Sequence, residues 1–273
     1  MNRLTETVKQ LIIINALVFL GSTLLGNSEV AYNLFSLFYP NSQYFKPWQI
    51  ITHMFMHGDL MHIFFNMFAL WMFGSTVEQV FGQKKFIFFY ISAGLGAVAL
   101  SFIVYYFQAI PLLQTVSELG LSSEVINQII NIDILDGNYL RGDLLERGMI
   151  PILQENSSTI TQISQEQFKA FFDLNRLNRT SMVGASGAIM GILVAFGMLF
   201  PNSKLMLIFL PIPIKAKYFI PGIIILDLVS AVTGQSFFSP SNTAYVAHIG
   251  GALTGFLMML FWKKNQFDKY RWN

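Results

Sequence analysis

The chain has 273 residues, of which 53% are hydrophobic and 12% are charged, about half the charged fraction of a typical soluble domain. The net charge of +2 and the lack of a basic cluster argue against a nucleic-acid partner. No cysteine is present, which excludes disulfides, thiolate catalysis and cysteine-ligated metals.

Six apolar runs predict membrane-spanning helices at about residues 11–25, 60–77, 86–107, 182–200, 218–232 and 245–262. A helix needs about 20 apolar residues to cross the hydrocarbon core, so the short first and fifth runs require flanking residues or a thinner bilayer. None of the runs alternates as the strands of a membrane barrel do. The predicted fold is therefore an all-α membrane bundle.

The segments between these runs differ in polarity. Residues 26–59 are rich in aromatic side chains, which predicts an element at the membrane interface. Residues 108–181 form a polar insert between the third and fourth spans and hold nine of the fifteen acidic residues. Apolar periodicity at 124–135 and 164–177 predicts short amphipathic helices, and Asp136-Gly137-Asn138 predicts a turn. A packed subdomain and an unstructured acidic loop both remain open.

The basic residues predict the orientation of the chain. Eleven of the seventeen lysines and arginines fall in short segments that face the cytoplasm if the N-terminus is inside. The positive-inside rule then favours six spans with both termini in the cytoplasm. The predicted organisation is a membrane core, residues 1–107 and 182–273, interrupted by an extracytoplasmic insert, residues 108–181.

Among the polar residues inside the apolar runs, where such side chains are expensive, four could carry out chemistry together. Ser186 lies near the start of the fourth run, His248 lies near the start of the sixth, and His62 and Asn66 lie in the second. With the predicted topology all four lie roughly 5–10 Å below the outer membrane edge. Their common depth predicts one site.

Residue chemistry suggests a hydrolytic role for this site. A serine is a poor nucleophile until a base takes its proton, and His248 is positioned to activate Ser186. The Ser186 amide at a helix start, with His62 and Asn66, predicts donors for an oxyanion. Gly184 and Gly187 would let the backbone bend around the serine.

Each motif also has a structural interpretation. Glycine and serine are common at contacts between membrane helices, a lone histidine is often a core residue, and His62 and Asn66 could simply bridge helices. Asp227 in the fifth run is expected to face the bundle in a structural hydrogen-bonding role, which is favoured over a role as the carboxylate of a triad with His248. Glu78 is expected to tie helices together. Hydrolysis is favoured because the motifs occur together at one depth.

Taken together, the motifs resemble those of rhomboid intramembrane serine proteases of bacterial type. The matching features are Gly184-Ala185-Ser186-Gly187, His62-x-x-x-Asn66, Ala247-His248-x-Gly250-Gly251, Gly251-x-x-x-Gly255, Thr52-His53 and Glu78. They lie within residues 48–107 and 182–262, so the insert is outside the resemblance.

The resemblance implies a compact core of six helices and a Ser186/His248 dyad without metal or cofactor. It implies an oxyanion pocket formed by the Ser186 amide, His62 and Asn66, and cleavage of transmembrane protein substrates near the outer boundary. It also makes a bacterial inner membrane the expected location, with membrane lipid as surroundings. Gly251 and Gly255 are expected to let the sixth helix approach the fourth closely.

Two positions depart from the family pattern. Gln49 follows Trp48 where the family often carries arginine, and Met190 stands where an aromatic side chain commonly packs on the catalytic histidine. Methionine can fill that space and contact the ring through sulfur, but more loosely. These departures bear on rigidity and rate rather than on the type of reaction.

Two other functions compete with proteolysis. His53, His57 and His62, with Asp59, could ligate a metal in an intramembrane metallohydrolase, although no His-Glu-x-x-His motif is present. A non-catalytic rhomboid-like protein that binds membrane clients is the second alternative. Loss of the serine or the histidine would mark such a protein, and both residues are present here.

Overall fold

A computed structural model describes residues 4–24, 28–137, 139–156, 163–207, 210–235 and 242–266. The α-helices in these ranges are α1 Glu6–Leu24, α2 Ser28–Phe35, α3 Gln49–Thr52, α4 Leu60–Ala69, α5 Ser75–Phe81, α6 Gln83–Ser117, α7 Ser123–Ile130, α8 Gly142–Asn156, α9 Gln165–Arg179, α10 Ser186–Leu199, α11 Ala216–Thr233 and α12 Asn242–Gln266. A 3-10 turn at His53–Phe55 follows α3, and a π-helical segment at Leu70–Gly74 joins α4 to α5.

The strands are short: β1 Leu37–Phe38, β2 Leu135–Asp136, β3 Tyr139–Leu140, β4 Ser181–Met182, β5 Lys204–Leu207 and β6 Leu210–Lys215. β2 and β3 pair antiparallel, with Leu135 opposite Leu140. The predicted turn at Asp136-Gly137-Asn138 joins them, and Gly137 has a φ of 60°, whereas Asn138 lies outside the described residues. β5 and β6 also pair antiparallel, with Lys204 opposite Lys215.

Four helical segments of the described chain are long and apolar enough to cross a membrane: Leu60–Phe81, Gln83–Ser117, Ala216–Thr233 and Tyr245–Trp262. α10 is equally apolar but has 14 residues, and α1 has 19. The all-α, multi-pass membrane fold predicted from the sequence is therefore confirmed. The count of six spans, the orientation of the termini and the type of membrane stay predictions.

Several helices differ from their predicted bounds: the helix predicted at 124–135 ends at Ile130, and the span predicted at 60–77 continues to Phe81. Two further differences have a clear local cause. α6 continues to Ser117 rather than ending near residue 107, because apolar residues that favour helix follow Gln108 and Pro111 is accommodated inside the helix. α10 begins at Ser186 rather than at residue 182, because β4 and then Gly184, with a φ of 113°, precede it. Few residues other than glycine adopt that backbone conformation, so a helix cannot run through it.

The chain divides into two compact units. The membrane unit comprises Met1–Ser36, Trp48–Ser101 and Met182–Asn273, and the insert unit comprises Leu37–Pro47 and Phe102–Ser181. Every predicted site residue belongs to the membrane unit.

A buried carboxylate fixes α1 within the membrane unit. Glu78 on α5 is 4% exposed and accepts hydrogen bonds from the backbone N–H groups of Thr7 and Val8, at 3.1 and 3.0 Å. It also accepts a hydrogen bond from the hydroxyl of Thr5. These N–H groups belong to the start of α1, where they have no partner within the helix and where the helix dipole favours negative charge. Glu78 thus ties α5 to α1, as the sequence predicts.

The insert unit has a core of its own, which decides between the two interpretations of the insert. Ile129 of α7, Leu145 of α8 and Phe171 of α9 are fully buried in one hydrophobic cluster. A capping box at Ser164 and Gln167 starts α9. The insert is therefore a packed subdomain and not an unstructured acidic loop.

Candidate active site

Ser186 owes its position to the backbone immediately before it. The φ of 113° at Gly184 ends the preceding extended segment, and Ser186 becomes the first residue of α10. The N–H of Gly184 donates to the backbone carbonyl of His53 at 2.9 Å, which fixes the turn. The amide of Ser186 therefore belongs to the first turn of a helix, where backbone N–H groups lack helical acceptors and face an anion favourably.

His62 and Asn66 converge on this turn from α4. Asp59 caps α4, accepting from the N–H of His62 at 2.8 Å, which fixes where the helix begins. A β-carbon built on Gly184 would lie 2.7 Å from Nε2 of His62 and 3.5 Å from Nδ2 of Asn66. Both side-chain nitrogens therefore lie beside the backbone that leads into Ser186, and residue 184 must be glycine both for its φ and for lack of space.

Asn66 presents a hydrogen-bond donor that the described protein does not use. Its side chain is 7% exposed, and Nδ2 has no hydrogen-bond partner in the part of the chain that the structure describes. Buried polar atoms are nearly always paired, so such an atom needs an explanation. A donor that is unpaired at rest and lies next to Gly184 is suited to bind an oxygen that arrives with a substrate.

Glycine brings α12 against α10. A β-carbon on Gly251 would lie 1.8 Å from the carbonyl oxygen of Gly187, and one on Gly255 would lie 2.6 Å from Cα of Gly191. A β-carbon on Gly187 would in turn lie 3.4 Å from the carbonyl oxygen of Ala247. The helices thus meet backbone to backbone over two turns. Ser186, in the first turn of α10, and His248, in the second turn of α12, are the sequence neighbours of Gly187 and Ala247, so both flank this contact.

The imidazole of His248 has a carboxylate partner. Its Nδ1 lies 3.0 Å from Oδ2 of Asp227, with side chains that are 16% and 3% exposed. Since a carboxylate only accepts hydrogen bonds, Nδ1 is the donor. That leaves Nε2, on the other side of the ring, as the nitrogen that can accept a proton when the ring is neutral. The sequence favours a structural hydrogen-bonding role for Asp227 over a carboxylate partner for His248, and the observed contact is with His248.

The profile of the Rhomboid domain matches residues 44–126 and 159–265 of the chain. The chain belongs to the rhomboid family. This confirms the resemblance drawn from the motifs, and the match also enters both ends of the insert, which the motifs did not cover.

Curated relatives of this rhomboid match it at modest identity. The mitochondrial presenilin-associated rhomboid-like protein of Mus musculus is 24% identical over 218 residues, which cover 78% of this chain and 38% of the relative. The same protein of Bos taurus gives the same figures. The rhomboid protease GlpG of Salmonella newport is 39% identical over 71 residues, 26% of this chain and 25% of that protein. The chain thus spans well under half the length of these relatives.

His53, His57 and His62, the histidines considered as metal ligands, do not form a metal-binding cluster in the described ranges. No group of three histidine, aspartate or glutamate residues in the described ranges is placed to hold a metal ion, so the geometry does not favour the metallohydrolase. Burial lowers the pKa of both His53 and His57 to about 4, and the neighbouring His62 ring adds to the effect on His57. His57 packs edge-on against His62 with ring centroids 5.0 Å apart. His57 therefore lies against the ring of His62.

A small cavity of about 10 Å³ adjoins the serine turn. Its lining includes His53, Gly94, Gly184 and Ser186. That volume corresponds to about one water molecule, and the polar groups in the lining can hydrogen-bond to one. The site therefore has room for a single small polar molecule next to the turn that carries Ser186.

The departure at Gln49 is compensated locally. Gln49 is fully buried and its Nε2 donates to the carbonyl of Asn33 at 2.9 Å. Trp48 donates through Nε1 to the carbonyl of Leu34 at 2.8 Å. Neutral hydrogen bonds thus attach the 48–49 segment to the end of α2 where the family often has an arginine. Met190 is buried within the membrane core at 5% exposure.

Proposed function

We propose that this rhomboid is an intramembrane serine endopeptidase that cleaves transmembrane proteins near the outer membrane boundary. Ser186 is the nucleophile, His248 is its base, and the Ser186 amide, His62 and Asn66 form the oxyanion pocket. The observation that carries the proposal is the convergence of the side-chain nitrogens of His62 and Asn66 beside Gly184, next to a serine at a helix start.

The first half of the proposed reaction is the attack of the serine on the peptide bond. Nε2 of His248 takes the proton of the Ser186 hydroxyl as Oγ attacks the carbonyl carbon of the scissile peptide bond. The carbonyl oxygen becomes an oxyanion and accepts hydrogen bonds from the Ser186 N–H, from Nδ2 of Asn66 and from the Nε2–H of His62. Donors arranged in advance for this charge are commonly the largest contribution to catalysis.

The second half regenerates the serine. The tetrahedral intermediate collapses, the peptide C–N bond breaks, and the amine leaves with the proton that His248 had accepted. An acyl-enzyme remains on Ser186 Oγ. Water then attacks this ester with His248 again as base, which releases the new carboxyl terminus and restores the serine hydroxyl.

Active-site labelling tests the nucleophile directly. The purified chain is treated with a fluorophosphonate probe, and Ser186→Ala is expected to abolish labelling. Ser75→Ala is the control, because Ser75 is another serine of the membrane unit, is fully buried and has no side-chain hydrogen-bond partner among the described residues. Unchanged labelling of Ser186→Ala would exclude Ser186 as the nucleophile.

Cleavage of a model transmembrane substrate separates the protease from its alternatives. Ser186→Ala and His248→Ala are each expected to abolish cleavage while the protein still folds, and EDTA is expected to have no effect. Loss of activity on chelation would favour the metallohydrolase. A parent protein that captures the substrate but never cleaves it would favour the client-binding alternative.

The oxyanion pocket has its own test. Removal of one such donor typically costs about 10²–10³ in turnover, so Asn66→Ala is expected to lower kcat by that factor with little change in KM. Asn15→Ala is a suitable control, since Asn15 is buried in the same unit and its Nδ2 donates within α1 to Leu11. A change confined to KM would instead make Asn66 a substrate-positioning residue.

A further inference from the structure

Asp227 is an acidic side chain enclosed by an apolar helix. The sequence of α11 after Lys217 contains no other charged residue, and Asp227 is 3% exposed. An ionisable group at such a position is costly and, where it persists, usually pairs with another polar group. This carboxylate forms a hydrogen bond with Nδ1 of His248 at 3.0 Å.

This contact determines which nitrogen of His248 can act as a base. A carboxylate at Nδ1 holds the ring proton there, so the lone pair of the neutral ring lies on Nε2. It also fixes the rotation of the ring about its side-chain bonds. When Nε2 accepts the proton of a serine, the resulting imidazolium has a negative group at hydrogen-bond distance, which stabilises the charge that develops.

We propose that Asp227 is a positioning residue for His248, so that the site works as a Ser186–His248–Asp227 triad instead of the dyad that the family resemblance implies. The inference rests on the proposed function, because it assigns Asp227 a part in the same proton transfer. Asp227 touches neither the substrate nor the serine and acts only through the ring of His248.

A purely structural tie between α11 and α12 is the competing explanation, and an isosteric change separates the two. Asparagine has the shape of aspartate and retains an oxygen that can accept from Nδ1, so a tie survives Asp227→Asn. The negative charge does not survive, and the asparagine amide can donate to Nδ1 and hold the wrong tautomer. A structural tie therefore predicts parental turnover for Asp227→Asn, whereas a triad predicts its loss.

The experiment compares the parent, Asp227→Asn and Ser230→Ala as full chains in detergent. For Asp227→Asn we expect kcat on a transmembrane substrate to fall at least about 10-fold, with the loss of about 10⁴-fold seen in soluble serine proteases as an upper limit, and KM to stay within about twofold. The measured rate is divided by the concentration of active sites, which is determined with the fluorophosphonate. Unfolded protein therefore does not lower the kcat obtained.

Ser230→Ala is the matched control for α11. Ser230 lies one turn after Asp227, is 1% exposed, and its hydroxyl has no partner in the described part of the chain. The substitution changes a buried side chain of the same helix but removes no hydrogen bond to His248, and it is expected to keep kcat at the parental level. An equal loss in Ser230→Ala and Asp227→Asn would overturn the inference, since both would then act through the packing of α11.

Two further results keep the inference separate from the proposed function. If Ser186 of the parent is labelled and Asp227→Asn turns over at the parental rate, the triad is wrong and the protease stands. If the parent is not labelled, the proposed function fails regardless of Asp227. Should Asp227→Asn not fold, Asp227→Glu is expected to be faster than Asp227→Ala because it keeps the carboxylate, and equal rates would overturn the triad.

Discussion

The membrane unit and the insert unit pack their helices by different means. In the membrane unit α10 and α12 meet at Gly187, Gly191, Gly251 and Gly255, where no side chain fits between the backbones. In the insert unit α7, α8 and α9 surround large buried side chains such as Phe171. Helices in lipid gain little from burying apolar surface against one another, so close backbone approach has to supply the packing, whereas a soluble-type core depends on burial.

Buried polar groups differ between the units as well. In the insert unit the amide of Asn175 donates to the carbonyl of Ile132 at 2.9 Å, and the hydroxyl of Tyr105 donates to Asn178 at 2.7 Å. In the membrane unit Nδ2 of Asn66 and both ring nitrogens of His57 have no partner among the described residues. The insert unit thus uses these buried polar groups for cohesion, whereas the membrane unit keeps several buried polar atoms without partners among the described residues, including the hydroxyls of Ser75 and Ser230. Of these atoms, Nδ2 of Asn66 lies beside the turn that leads into Ser186.

The largest effect is expected from filling the glycine contact. Gly251→Val places a β-carbon 1.8 Å from a backbone carbonyl, which cannot move away without displacing α10. We expect a loss beyond about 4 kcal/mol and therefore no folded, labelled protein by thermal melting and fluorophosphonate labelling. Gly222→Ala in α11 is the control, since nothing lies within 4 Å of its β-carbon. A folded Gly251→Val would mean that α10 and α12 do not touch there.

In the insert unit, removal of a large buried side chain is expected to destabilise the packing of the helices. Phe171→Ala removes a fully buried ring, which costs about 3–5 kcal/mol because it leaves a cavity. We expect hydrogen exchange to accelerate throughout α7, α8 and α9. Phe172→Ala is the neighbouring control, because Phe172 is only partly buried. Equal acceleration in both variants would argue against a core centred on Phe171.

Features fixed by neighbouring residues could be predicted from the sequence, whereas contacts between distant helices could not. Ser186, His62 and Asn66 come together because short-range signals fix them: a glycine before a helix start and two polar residues four apart on one helix. The pairing of Asp227 with His248 joins two helices that are apolar nearly all round. Nothing in the periodicity of such helices shows which side faces a neighbour, so this contact could not be read from the sequence.

The insert illustrates a second limit. Helices α7 and α9 were predicted from apolar spacing, but α8 was not, since Pro151 and several charged residues interrupt its pattern. The end of α6 was placed too early because Gln108 resembles a membrane boundary, although the apolar residues that follow extend the helix to Ser117. Boundaries depend on tertiary packing, which local composition does not record.

Acid should weaken the membrane unit through its buried histidines. The pKa of His57 is about 4 in the folded protein and about 6.5 when exposed, so the unfolded state binds the proton more tightly. Stability is then fully present above pH 6.5 and falls as pH decreases towards 4, by about 1 to 3 kcal/mol. His57→Phe preserves the ring contact with His62 and is expected to flatten the acid side of a Tm profile. An unchanged profile would place the acid sensitivity elsewhere, with His53→Phe as the next variant.

The smallest effect concerns a buried carboxylate that is fully paired. Glu78→Gln keeps the shape of the side chain but removes the charge that accepts from the N–H groups of Thr7 and Val8. Hydrogen bonds to a charged group contribute about 1.5–3 kcal/mol, of which glutamine retains part, so we expect a loss of about 1 kcal/mol in thermal melting. Glu6→Gln is the control: Glu6 lies in the first turn of α1, but it is exposed and pairs with Lys9 at the surface, so its substitution should leave Tm unchanged. Equal shifts for the two variants would show that the helix dipole alone, and not burial, makes Glu78 stabilising. The contrast between paired and unpaired polar groups in this unit would then lose its energetic basis.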